Sequence, residues 1–210
     1  AMAALEADFT EKIERAKAEV IRAYSIDAAF LDRMSHALRG DKIAAWVAAQ
    51  TERIRKRDEQ IEKQRAIIAE CEATGKTALK KYADAKARLA KYEAEELAAP
   101  IPENAPDYIR SFEFTNDNHI GYLIYDHLRI KDATPRIKRG KVRSTAADVL
   151  DVYYEEEEAL KPLATVAAYE KLLNTYVMKI PHALEVDGRL HSEFKAGGTA
   201  TGRYSSSGYV

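Results

Sequence analysis

The chain is poor in several things that small proteins often lean on. It has one cysteine in 210 residues, Cys71, so no intrachain disulfide can form and a four-cysteine zinc site is excluded. Its five histidines are scattered, without HExxH or similar ligand spacing. From Leu5 to Ala99 there is no proline, and in the same stretch glycine appears only at Gly40 and Gly75. No apolar run approaches the roughly 18 residues of a membrane-spanning helix, and no signal-peptide pattern opens the chain. Nor does either sign of charge dominate: 33 basic residues face 34 acidic ones, for a net charge of -1. Bulk charge therefore predicts no polyanion partner, and any such partner has to be sought in local clustering. A reducing, cytoplasmic setting with no membrane partner is the expectation.

What is present is an apolar content of 46%, enough for a core, and 32% charged residues. The first hundred residues are dominated by Ala, Glu, Lys, Arg and Gln, all good helix formers. Gly40-Asp41 reads as a helix stop followed by an N-cap. After it Val47, Ile54, Ile61 and Ile68 recur every seven residues, with Ile43, Trp46, Ile67 and Cys71 beside them. The positions three or four further on are mostly Gln, Arg, Thr and Asp, so the seam is narrow. Gly75 stands at the expected C′ position, and a second stripe follows through Leu79, Tyr82, Ala85, Leu89 and Tyr92. Two stripes joined by a tight turn predict a long antiparallel helical hairpin over 42–99, whose charged outer faces also suit plain solvation.

The proline-rich "AAPIPENAP", 98–106, is the best internal boundary. Beyond it three shorter helices are expected. The first is capped by Asn116 and carries Ile120, Leu123, Ile124 and Leu128. The second starts from a Ser144 or Thr145 cap, and the third ends before Pro181. Alternation around Asp187-Gly188 then predicts a small β-hairpin. The fold class is mainly α, with segments 1–41, 42–99, 105–182 and 183–210.

Three motifs invite a chemical reading. "ATGKT" suggests a phosphate loop, but GxxxxGK[ST] needs glycine at position 70, where Glu70 stands, and helix rather than strand precedes it. The acidic run Glu155 to Glu158 points around a helix rather than to one focus, which is a solvated face and not a metal site. The segment 129–145 is different. Arg129, Lys131, Arg136, Lys138, Arg139, Lys141 and Arg143 place seven cations in fifteen residues, opposed locally only by Asp132. Pro135 and Gly140 make it a loop, and it runs into Ser144-Thr145, whose hydroxyls and the free N–H groups of the next helix suit a phosphate oxygen. A soluble loop would carry such a cluster too; in an otherwise neutral chain it favours contact with a nucleic-acid backbone. The end, "GGTATGRYSSSGYV", has the composition of a disordered tail. It equally puts Thr199, Thr201 and Arg203 on one face of an extended strand, with Gly202 allowing close approach to a base edge.

These residues resemble family A DNA polymerases, the DNA polymerase I type. "DGRLHSEFKAGGTATGRYSSS" is similar to the family's DGRxHxxFxQTxTxTGRLSSS, which joins thumb to palm. "FEFTNDNHIGYLIYDHLRI" resembles its FNxNSxxQLxxxLFxxLGL helix. "KRGKVRSTAADVLDVY" resembles its KTxxGxxSTxxxxLexL thumb segment, and "YEKLLNTYVMKIP" its KLxxTYxxxLP helix. The four matches stand in order over 112–207. Tyr204 replaces the usual leucine, Thr115 an asparagine, Lys195-Ala196-Gly197 the usual Asn-Gln-Thr, and "GYV" the Asp-Pro after the serines.

The resemblance implies a thumb with the first palm strands attached, gripping primer–template duplex. It implies that Arg203 reaches the minor groove at the primer terminus, with Thr199, Thr201, Ser205 and Ser206 lining the duplex. Arg143, Ser144 and Thr145 would touch the phosphate backbone beside Lys138, Arg139 and Lys141, and Lys171 would face DNA from a thumb helix. In the parent nucleotidyltransferase two magnesium ions are clamped by aspartates that the resemblance places beyond Val210, so this stretch alone is expected to be inactive and to hold no cofactor. A bacterial or phage origin follows. The long hairpin either lengthens the thumb along the duplex or binds a processivity partner. The rival reading is a non-enzymatic helical interaction module with a disordered tail.

Overall fold

Helix formers fill the sequence, and the computed structural model is mainly helical. It describes residues 2–138 and 140–184, and the backbone of 193–195 and 205–207. Helices run at Met2–Tyr24 (α1), Ala28–Ala73 (α2), Lys80–Glu93 (α3), Asp117–Gly121 (α4), Thr134–Ile137 (α5), Ala147–Glu156 (α6), Lys161–Leu172 (α7) and Lys179–Ala183 (α8). Two π-helical turns, Tyr122–His127 and Leu173–Val177, continue α4 and α7. Two three-residue strands, Glu193–Lys195 (β1) and Ser205–Ser207 (β2), pair antiparallel with Phe194 opposite Ser206. The hairpin expected to turn at Asp187-Gly188 lies outside the described residues, so it is not shown.

The chain divides into two compact units, 1–30 with 111–210, and 31–110. In the first, α1 buries Ile13, Ala16, Val20 and Tyr24, a three-and-four spacing that makes one face. That face meets α7, whose Leu163 and Val166 are buried, and the contact is edged by Lys17 to Glu170 at 3.0 Å and Phe9 against Tyr169 at 5.1 Å. Asp27 accepts the Phe30 N–H at 2.8 Å and so caps the start of α2, which drives Phe30 into a cluster with Phe112, Tyr122 and His127. Phe30, Leu123, Ile124, Val149, Leu160 and Val166 are fully buried, each worth about 1.5–3 kcal/mol of hydrophobic stabilisation. Asn116 caps α4 as expected, its side chain accepting the Asn118 N–H at 3.0 Å.

In the second unit, α2 does not stop at Gly40. It runs through Gly40-Asp41 without a break. A mid-helix glycine costs only about 1 kcal/mol against alanine, too little to end a helix whose flanks propagate well. The real stop is Gly75, at φ +67°. The Lys76 N–H bonds the Cys71 carbonyl at 2.8 Å and the Gly75 N–H bonds that of Glu72 at 3.2 Å, the two hydrogen bonds of a Schellman motif. Contacts of α3 and the segment after it then step backward along α2: Lys81 to Glu70, Tyr82 to Glu72, Arg65 to Glu93, Arg57 to the Glu95 carbonyl and Gln50 to the Ala98 carbonyl. Val47, Ile54, Ile61 and Ile68 are only half-buried, while Gln50 and Gln64 are buried in the same seam.

The third expected helix also differs from expectation. Pro181 sits inside α8 rather than beyond its helix, in the first turn, where a missing N–H breaks no hydrogen bond.

Candidate nucleic-acid interface

The basic segment 129–145 leaves the π-helical turn after α4 and enters α6, and its two ends are fastened to each other. Asp132 accepts the N–H of Thr134 at 2.9 Å and that of Arg143 at 2.8 Å. The Thr134 hydroxyl accepts the Ser144 N–H at 2.9 Å. Beneath them Tyr125 donates its hydroxyl to the Ser144 carbonyl at 2.7 Å, and the fully buried Tyr153 oxygen accepts the Ala133 N–H at 2.8 Å. Burial pulls the Asp132 carboxyl up, but the Thr134 side chain and the two N–H groups outweigh it and hold the group below its ordinary range. Burial, with Tyr153 adding to it, pushes the Tyr125 phenol up.

That fastening bends the backbone. Arg129 and Arg143 adopt left-handed conformations, φ +54° and +50°, which cost a non-glycine residue about 1–3 kcal/mol and persist only where the surroundings fix them. Arg143 is fixed at its N–H by Asp132, at its guanidinium by Asp126, and by stacking over the Tyr125 ring at 5.0 Å. The Asp126 hydrogen bond also raises the Arg143 pKa.

The expectation that Ser144 or Thr145 caps the next helix does not hold. The N-cap is Ala146, without a side-chain cap. Thr145 instead donates its hydroxyl to Asp117 at 2.8 Å, and the Ser144 oxygen accepts the Ala146 N–H at 3.2 Å, one residue ahead of the helix. The open end of α6 is served by Asp148, whose carboxyl is held low first by the Lys138 ammonium at 2.9 Å and further by the N–H groups of Asp148 and Val149.

The fold thus brings Lys138, Lys141, Arg143, Ser144 and Thr145 into one loop and helix entry. Arg129, Lys131, Arg136 and Lys141 are exposed and have no ion-pair partner among the described residues. Lys171 is exposed on α7, and no described contact joins it to the loop. Arg139, Thr199, Thr201 and Arg203 lie outside the described residues; Ser205 and Ser206 are described only as backbone of β2. Sequence reading missed Asp117, Asp126, Asp148, Tyr125 and Tyr153. Only Asp148 carried a signal, since Thr145-x-x-Asp148 fits the capping-box spacing. Among the described residues no group of three His, Cys, Asp or Glu side chains is placed to hold a metal ion, and no helix is long and apolar enough to cross a membrane.

Residues 80–208 match the model of DNA polymerase family A. The thermostable DNA polymerase I of Thermus caldophilus is 35% identical over 97 residues, which cover 46% of this chain and 12% of that protein. The thermostable DNA polymerase I of Thermus aquaticus is 32% identical over 143 residues, 68% of this chain and 17% of that protein. DNA polymerase I of Caldicellulosiruptor bescii is 32% identical over 98 residues, 46% of this chain and 11% of that protein. The chain therefore spans less than a fifth of the length of these relatives. No solved structure matches it.

Proposed function

The chain belongs to DNA polymerase family A, and from that premise we propose that it is the thumb of such a polymerase, with the start of the palm. Its task is to grip primer–template duplex through the backbone, without regard to sequence, while nucleotides are added elsewhere in the enzyme. The observation that carries this reading is the fastened basic loop. Asp132, Thr134, Tyr125 and Tyr153 hold its ends, and Arg129, Lys131, Arg136 and Lys141 are exposed, with no ion-pair partner among the described residues. Cations on a fixed frame neutralise phosphates at little conformational cost and carry no base information. The chemistry of nucleotide addition, with magnesium, belongs to the parent enzyme. The setting is a bacterial cytoplasm, of the cell itself or of a phage-infected host.

The 31–110 unit serves this grip, either by lengthening it along the duplex or by taking a processivity partner.

Fluorescence anisotropy of labelled duplex, titrated with the chain at several salt concentrations, tests the reading. Binding should be weak, on the order of micromolar or poorer, and should fall steeply with salt. In the triple variant Lys131→Ala/Arg136→Ala/Lys141→Ala the log–log salt slope should flatten by up to about 0.9 per cation removed. A triple variant that binds like the unaltered chain would sink the proposal. The same titration with 42–98 replaced by a short linker separates the two roles of that unit. Weaker binding assigns it to the duplex, unchanged binding to a protein partner.

A further inference from the structure

Three of the side chains expected to touch duplex are already occupied, each by an aspartate. Lys138 is paired with Asp148 at 2.9 Å, Arg143 with Asp126, and the Thr145 hydroxyl with Asp117 at 2.8 Å. The three carboxylates come from three separate places: α4, the π-helical turn that continues it, and the first turn of α6. None of the ion pairs is deeply buried. Asp126 and Asp148 keep 39% and 55% of their side-chain surface exposed, so each can be displaced without stranding a charge in a dry interior. A phosphate oxygen offers these donors the same geometry as a carboxylate oxygen.

We propose that Asp117, Asp126 and Asp148 are built-in stand-ins for duplex phosphates, and that binding proceeds by exchange of each carboxylate for a phosphate. The proposal rests on the gripping function above and adds a determinant of its strength. The aspartates keep the loop in its binding geometry while no duplex is present. They also weaken the grip, because Lys138 and Arg143 must each leave a carboxylate to take a phosphate. An isolated anion would have to displace an aspartate alone, whereas a backbone offers several phosphates at once, so the exchange favours a polyanion over small anions.

Two opposite signs separate this role from mere support. If the carboxylates only hold the loop, neutralising them loosens it and weakens binding. If they compete with phosphates, neutralising them strengthens binding. Asp126→Asn and Asp148→Asn keep a hydrogen-bonding amide in place while removing the charge. Exposed ion pairs of this kind correspond to about a 1.4- to 5-fold change in an equilibrium. Each variant should therefore bind duplex about 1.4- to 5-fold more tightly at low salt. Each should also steepen the salt slope by up to about 0.9, since one more cation becomes free to replace counterions. The gain from Asp148→Asn should vanish in a Lys138→Ala background, which ties it to that pair. Glu11→Gln, on an exposed α1 position, makes the same change in net charge and should bind as the unaltered chain does.

Far-UV circular dichroism and a thermal melt identify any variant that has lost its fold, and the two aspartate variants report independently. Unchanged or weaker binding by folded Asp126→Asn and Asp148→Asn, with the Lys131/Arg136/Lys141 triple variant still impaired, overturns the exchange and leaves the gripping function standing. A triple variant that binds normally, or no duplex binding at all, removes the gripping function and the exchange with it.

Discussion

One hydroxyl, that of Tyr153, shows how much of the loop geometry hangs on a single atom. It accepts the Ala133 N–H at 2.8 Å and lies 3.3 Å from the Tyr125 hydroxyl, which in turn holds the Ser144 carbonyl. Ala133 is buried, so Tyr153→Phe leaves its N–H without an acceptor and without water. The expected loss is about 1–3 kcal/mol, read as a lower urea midpoint at unchanged slope. A shift below about 0.5 kcal/mol, the scatter of neutral surface changes, would mean that the loop is held by other groups. At this scale the sequence was half legible. The clustered cations were visible because they are neighbours in the chain. Their partners were not, because Thr145 reaches back 28 residues to Asp117 and Arg143 reaches back 17 to Asp126. The loop that reads as almost wholly basic has, in the fold, two of its cations paired with aspartates, Lys138 with Asp148 and Arg143 with Asp126.

Among the elements, α2 and its two glycines make opposite demands. Gly75 holds φ +67° in the Schellman turn, and a side chain there is strained although nothing lies within 4 Å of it. Gly75→Ala should cost about 1–2 kcal/mol. Gly40 is helical, and its substituent would also meet nothing within 4 Å. Gly40→Ala should stabilise the helix by about 0.5–1 kcal/mol. Chemical denaturation of both variants checks the pair; the same sign for both would contradict the difference in backbone conformation. The seven-residue isoleucine spacing and the Gly75 stop were readable because period and turn chemistry are local properties. Gly40 was misread because glycine weakens a helix everywhere but ends it only where a left-handed turn is also built. The start of α6 was misread for a related reason: Thr145 has the right hydroxyl for a cap, and Asp117 takes it first.

For the molecule as a whole, stability is unevenly shared between the two units. The unit of 1–30 and 111–210 buries Val20, Phe30, Leu123, Ile124, Val149, Tyr153, Leu160 and Val166 completely. The unit of 31–110 buries fewer and mostly smaller apolar side chains, Met34, Ile43, Cys71, Ala85 and Ala105. Its seam alternates half-buried isoleucines with Gln50, Arg57 and Gln64, which contribute little hydrophobic stabilisation. Trp46, the single tryptophan, belongs to that second unit, so its fluorescence reports on 31–110 while far-UV circular dichroism reports on both. In urea the tryptophan signal should change first, at a lower midpoint than the bulk of the helical signal. Coincident curves would show one cooperative transition instead. The same polar seam has a consequence for inheritance. Gln50 and Arg57 grip the carbonyls of Ala98 and Glu95, which every amino acid supplies. Side chains at 95 and 98 are thus free to drift through generations without loosening the pairing, while the glutamine and the arginine that read the main chain are the positions where drift would be felt.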